Sequence, residues 1–120
     1  VVITRSSKPK NPSGLLAKVL IPNTSVNKVY EIAEKSEFGY GIIRIINPTG
    51  GNITFKLWTC SKNKSIPETV DLLEPGVTLK QNETYVYEGM VFGYEEALYV
   101  QSTVAGIVIR VEGFEEIVPI

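Results

Sequence analysis

The sequence contains no histidine. Histidine is the commonest general base and a common metal ligand, so its absence removes the usual route to acid–base catalysis. A single cysteine, Cys60, excludes an internal disulfide and a thiolate-rich metal centre. One aspartate, Asp71, leaves no Asp/Asn-rich loop of the kind that holds calcium. An excess of charge is missing too. Twelve Lys and Arg stand against 13 Asp and Glu, a net charge of −1 that supplies no field to gather nucleic acid or anionic lipid. Apolar runs extend for only a few residues, far short of a membrane span, and the opening residues do not read as a secretory signal. The lack of paired cysteines fits a reducing compartment. The expectation is no catalytic set, no cofactor, no metal, and no nucleic-acid or membrane partner.

What the chain does contain is period-two alternation. Between Leu79 and Glu112, Tyr85 and Tyr87, then Leu98 and Val100, then Ile107, Ile109 and Val111 fall at every second position, separated by Gly or acidic residues. Short alternating runs bounded by turn residues are the pattern of half-buried antiparallel strands. Val86, Gln101 and Arg110 take the other face. Leu15 to Ile21 reads as a further strand ended by Pro22, because proline cannot donate to a ladder. Val26 to Ala33 alternates, with Val29 or Tyr30 and Ile32 inward, before a charged turn over Glu34 to Glu37.

The isoleucine-rich run Tyr40 to Asn47 meets a strong turn signal, Asn47-Pro48-Thr49-Gly50-Gly51-Asn52, and then Ile53, Phe55 and Leu57 on one face. These two runs read as a hairpin with a loop of about four to six residues. Thr69 to Leu73 reads as a short strand, Glu74-Pro75-Gly76 and Gln81-Asn82-Glu83 as turns, and Thr103 to Gly106 as the close of a last hairpin. No window carries a helical period. The count of about eight or nine short strands predicts an all-β, antiparallel β-sandwich of jelly-roll type. A length of 120 residues allows one domain, here residues 16–120, preceded by an extended arm over 1–15.

The arm holds Val1, Val2, Ile3 and Arg5, then Lys8 and Lys10 among prolines; its apolar start could add as an edge strand to a partner, or simply fray. Thr54, Lys56 and Trp58 share one face of their strand, with Ile42 and Ile46 on the corresponding side of the strand before. That face is either a second buried layer or an apolar patch that packs on another subunit, with Trp58 as its anchor. Val1, Val2, Ile3, Arg5, Ile42 and Trp58 are therefore the candidate interface residues. The pairs Glu95-Glu96 and Glu115-Glu116 lack the facing geometry that a glycosidase requires. Sequons at Asn23, Asn52 and Asn82 coincide with turns, where Asn is expected for backbone reasons.

The order of these pieces resembles small virion proteins of tailed bacteriophages. The resemblance runs from about residue 28 to residue 116. It rests on Tyr30-Glu31-Ile32-Ala33, Ile42 to Gly50 and Ile53 to Trp58 in the front half. In the back half it rests on Gly76 to Leu79, Asn82 to Tyr85, Glu88 to Phe92, Leu98 to Ser102 and Val108 to Glu116, closing in a Gly-x-Glu. Phe92-Gly93-Tyr94-Glu95-Glu96 departs from the family's usual Gly-Asp turn. The resemblance implies a β-sandwich structural subunit serving as head decoration, neck, tail or baseplate component. It implies homo-oligomers and contacts with other virion proteins, assembly in the host bacterial cytoplasm, and no catalytic residues. Two other readings remain open. Trp58, Tyr94 and Tyr99 could form a carbohydrate-binding platform, and glycans at the three sequons would mark an immunoglobulin-like secreted domain.

Overall fold

The computed structural model describes residues 14–34 and 36–117. Eight strands form two four-stranded antiparallel sheets. They are β1 (Gly14–Leu20), β2 (Asn27–Glu31), β3 (Ser36–Ile46), β4 (Ile53–Ser61), β5 (Leu72–Leu79), β6 (Thr84–Phe92), β7 (Glu96–Ser102) and β8 (Val108–Ile117). Sheet A has the order β1-β8-β3-β6 and sheet B the order β2-β7-β4-β5. Consecutive strands share a sheet only at β4 and β5; the other six connections cross between sheets. This is the strand order of an eight-stranded jelly roll. Gly14 and Leu15 already belong to β1, while the rest of the expected arm lies outside the described residues.

The alternation places the core as expected. Leu98, Val100, Ile107, Ile109 and Val111 are fully buried between the sheets with Ile43, Ile45, Phe55 and Phe92. Val29 and Tyr30 are both buried, because a register shift between Lys28 and Tyr30 turns adjacent residues inward.

The expected hairpins are not hairpins. β3 and β4 lie in different sheets, as do β7 and β8, so the turns at 47–52 and 103–107 are bridges across the sandwich. Turn residues and alternation are the same for both arrangements, and a loop of this length reaches across the roughly 10 Å between packed sheets. The first bridge is organised by Asn47, which is buried and donates through Nδ2 to Gly51 O (2.8 Å) and Leu79 O (3.0 Å). Its backbone also exchanges bonds with the next bridge, to Glu83 O and from Asn82 N.

Two further expectations are corrected. Thr69–Asp71 is a 3-10 turn closed by a reciprocal cap between Glu68 and Asp71, and the strand begins only at Leu72. Glu74-Pro75-Gly76 does not turn the chain. It lies within β5 where the register against β4 jumps, and an edge strand tolerates proline at such a bulge.

Candidate assembly surface

β3 is apolar on both faces. Ile43 and Ile45 point into the core, while Phe38, Tyr40, Ile42 and Ile46 fall at the alternate positions. Its neighbours add to that outer face in cross-strand rows. Phe114 on β8 and Val91 on β6 flank Tyr40, with the Tyr40 and Phe114 rings 5.8 Å apart. Phe38, Tyr40, Phe114 and Val91 are 38%, 42%, 38% and 55% exposed. At the opposite end, Leu20, Val108 and Ile46 form an aliphatic row beside Thr84.

Between these ends runs a charged band. Lys18, Arg110 and Arg44 lie in one row, and Glu112 stands one row away beside Ile42. Arg44 Nε sits 2.5 Å from Glu112 Oε1, and Arg110 Nη2 is 3.7 Å from Oε2. Half-exposed pairs of this kind contribute about 1 kcal/mol at most, so their effect is to fix side-chain positions rather than to hold the fold. Glu112 answers two of the three cations. Strands of 7, 10, 11 and 9 residues, at about 3.3 Å per residue and about 4.8 Å apart, give a face on the order of 600 Å². That approaches the roughly 800 Å² per partner of a standard protein interface. No element covers this face among the described residues.

The candidate residues named from sequence are not brought together. Ile42 lies on the outer face of sheet A, half-buried beside Glu112. Trp58 lies on the outer face of sheet B and is only 8% exposed. It packs with Cys60, Ala97 and Tyr99, and with Val26 and Leu72 at the margin. The segment 61–72 closes over this second layer. Tyr99 Oη donates to Lys64 O (3.0 Å) and Ser61 O (3.2 Å), and Lys64 Nζ pairs with Asp71 (2.9 Å) and Glu68 (3.0 Å). Trp58 is thus an internal anchor, and the reading of it as an exposed anchor is corrected. Burial pushes the Cys60 thiol and the Tyr99 hydroxyl up from their usual values. Val1, Val2, Ile3 and Arg5 lie outside the described residues.

The carbohydrate platform is dismantled by the same burial: of Trp58, Tyr94 and Tyr99, only Tyr94 is exposed. One member of each carboxylate pair serves structure. Glu96 accepts from Gly93 N, and Glu115 is buried, accepting from the Tyr30 hydroxyl, Ser36 Oγ (2.8 Å) and Ala33 N (3.3 Å). Asn23 Oδ1 accepts from Ser25 N and Asn27 Nδ2, and Asn82 holds a left-handed backbone at φ 63°, so both act in turns. A cleft of roughly 420 Å³ opens between β1 and β2, lined by Leu16, Val29, Tyr30, Glu31 and Lys62 among others. Its charged groups, Glu31, Glu34 and Lys62, form no metal-binding cluster; none exists among the described residues.

No family model matches the chain, and no curated protein matches it. Among solved structures, a Tobacco streak virus coat protein aligns at a TM-score of 0.39 with 13% identity, covering 93% of this chain and 93% of that one. The coat protein dimer of the same virus gives 0.36 and 15%, over 92% and 87%. Eiger TNF from S. frugiperda gives 0.37 and 9%, over 94% and 98%. A coat protein and a TNF stand side by side at these values, so the likeness carries no argument about what this chain does.

Proposed function

We propose that the protein is a structural subunit of a virus particle: a head-decoration or neck/tail adaptor protein of a tailed bacteriophage that works by binding and catalyses nothing. The observation that carries this reading is the uncovered outer face of sheet A. It offers an aromatic end and an aliphatic end, with a net-positive band between them. Two apolar patches on one uncovered sheet face, with a charged band between them, fit a protein–protein contact surface better than an ordinary solvent-facing sheet. The complementary partner carries an acidic strip flanked by apolar side chains, the role this reading gives to a neighbouring virion protein. The sequence resemblance over residues 28 to 116 supports the particle context. Jelly rolls also host lectins and cupins, so the face, not the fold, bears the weight. On this reading the protein is found in the virion, after assembly in the host cytoplasm.

The test is mass spectrometry of gradient-purified particles, together with a variant carrying Val91→Ser and Phe114→Ser. The wild-type protein is expected in the particles at stoichiometric levels. The variant is expected to melt close to wild type, because both side chains are exposed, and yet to be lost from particles. Particles devoid of the wild-type protein, or loaded equally with the variant, refute the reading.

A further inference from the structure

A two-sheet sandwich has four strand edges, and three of these are guarded. β1 carries Lys18 and a register shift between Leu15 and Ala17. β2 is five residues long, carries Lys28 and shifts register beside it. β5 contains Pro75 and two register shifts against β4. Short length, lysine, proline and bulges are the devices that stop an edge from pairing with another chain. The fourth edge, β6, opens differently. Thr84, Tyr85, Val86 and Tyr87 pair with Ile46, Ile45, Arg44 and Ile43 without interruption, and hold no Lys, Arg or Pro. The register breaks only beyond Tyr87, where Gly89 takes φ 74°. No strand lies on the far side of β6 among the described residues.

We infer that this edge joins two copies of the chain: β6 pairs antiparallel with β6 of the partner about a two-fold axis at Val86, so that sheet A runs on through both subunits. Resting on the assembly reading, this names which surface holds the copies together. The register is self-complementary. A two-fold centred on Val86 sets it against the partner subunit's Val86, Tyr85 against the partner's Tyr87, and Thr84 against the partner's Glu88. Residues directly opposite must point to the same side of the sheet, which rules out a centre between two residues. A centre at Tyr85 extends the pairing beyond the start of the strand, and one at Tyr87 reaches the bulged Gly89. The Val86 register keeps Tyr85 to Tyr87 as its central pairs, stays within the strand, stops short of Gly89 with Glu88 opposite Thr84 at its margin, and sets no like charges opposite one another.

The edge is also held ready. Tyr85 Oη donates to Glu74 Oε2 at 2.6 Å, tying β6 to β5 across the seam, and the ring meets Phe55 edge-on at 5.1 Å. Little ordering of β6 remains for association to impose. Val86 itself is 41% exposed on the outer face opposite Arg44. A glutamate there gains a partner within the subunit, and a lysine meets a like charge whose cost is small beside the stability of a domain.

Sedimentation of the full chain across the micromolar range tests this, with Val86→Lys and Val86→Glu alone and mixed. The wild type is expected to be a dimer. Each variant is expected to melt near wild type but to dissociate at least about tenfold more readily, since like charges then face each other across the axis. The equimolar mixture is expected to recover the dimer, and hydrogen exchange to show β6 amides protected on dimerisation, which packing through the sheet face does not produce. A monomeric wild type, a V86K protein that dimerises undiminished, or a mixture that stays monomeric overturns the inference. Those outcomes hold whether or not particles carry the protein; the particle assay alone addresses the assembly reading.

Discussion

Replacing Gly113 by alanine tests the architecture at the point where it is tightest. Gly113 on β8 pairs with Gly14 on β1 and Gly41 on β3, a glycine row across three strands of sheet A. A Cβ at Gly113 falls 1.9 Å from Tyr40 O, 2.6 Å from Gly41 Cα and 2.9 Å from the Tyr40 carbonyl carbon. All three obstacles are β3 backbone, so no side chain can swing aside. Restoring ordinary contact distances requires β3 and β8 to part by roughly 1.5 Å. Overpacking costs about 1–3 kcal/mol where neighbours can adjust, and ladder bonds lost as the strands part add about 1 kcal/mol each. The expected cost is about 3–4 kcal/mol, a large share of the roughly 5–15 kcal/mol that holds a domain together. For a domain of this size that lowers the melting midpoint by roughly 10–15 °C. Gly50→Ala is the control, with open space around its Cβ, and is expected to stay within about 0.5 kcal/mol of wild type. Urea titrations with an unchanged slope give both numbers. A G113A protein that melts within a few degrees of wild type refutes the close approach and with it the β3–β8 register.

Burial and the adjoining Glu115 carboxylate push the Tyr30 hydroxyl far above its ordinary range, and burial with Glu74 does the same for Tyr85. An unfolded tyrosine ionises near about pH 10, so their stabilisation is intact below that pH and lost above it; alkaline melts should fall steeply there, and less so in Tyr30→Phe. A curve flat through that window contradicts the buried hydroxyls. The Glu68 N–H and the Lys64 ammonium hold the Asp71 carboxyl below its usual value. A depressed carboxyl stabilises above its unfolded pKa and ceases to do so as pH falls through the folded one, so below about pH 4 the 61–72 segment should loosen. Trp58 fluorescence reports this, and an Asp71→Asn protein should show the altered signal already at neutral pH. Deletion of residues 1–13 is expected to leave the melting transition intact and to weaken attachment to particles; a truncated chain that will not fold contradicts the assignment of the arm.

The inward half of each strand was legible because burial has a period of two, and Leu98, Val100, Ile109 and Val111 obey it. Sheet membership was not. Asn47 to Asn52 carries every residue a hairpin turn needs, and whether it returns in the same sheet is decided by Asn47's contacts with the chain at Leu79 and Glu83, more than thirty residues away. Placing β3 and β4 in one sheet put Ile42 and Trp58 on one face, whereas they lie on opposite outer faces of the sandwich. The aromatic end of sheet A was missed although its signal was present. Phe38, Tyr40 and Ile42 alternate in one parity while Ile43 and Ile45 occupy the other, which is the mark of a strand apolar on both sides. Trp58 misled for the converse reason. Its cover is the irregular segment 61–72, which no period announces.

The buried polar groups are committed to holding the fold. Among the described residues four polar side chains are buried, and each secures a place where the chain changes sheets. Asn47 ties the β3–β4 bridge to the β5–β6 bridge. Ser102 exchanges bonds with Val104 at the β7–β8 bridge, its Oγ donating to the carbonyl at 2.8 Å and accepting from the N–H at 3.2 Å. Ser36 and Glu115 meet at the β2–β3 bridge, where Glu115 also receives Tyr30. No buried side-chain nitrogen or oxygen lacks a partner among the described residues. A jelly roll crosses between its sheets at almost every connection, and each crossing brings backbone polar groups out of the ladders, so the interior polar groups are committed to closing them. On the proposed reading, recognition falls to the two apolar ends of sheet A's outer face and to the open edge of β6. Substitution there should change what the protein binds while leaving its melting curve in place.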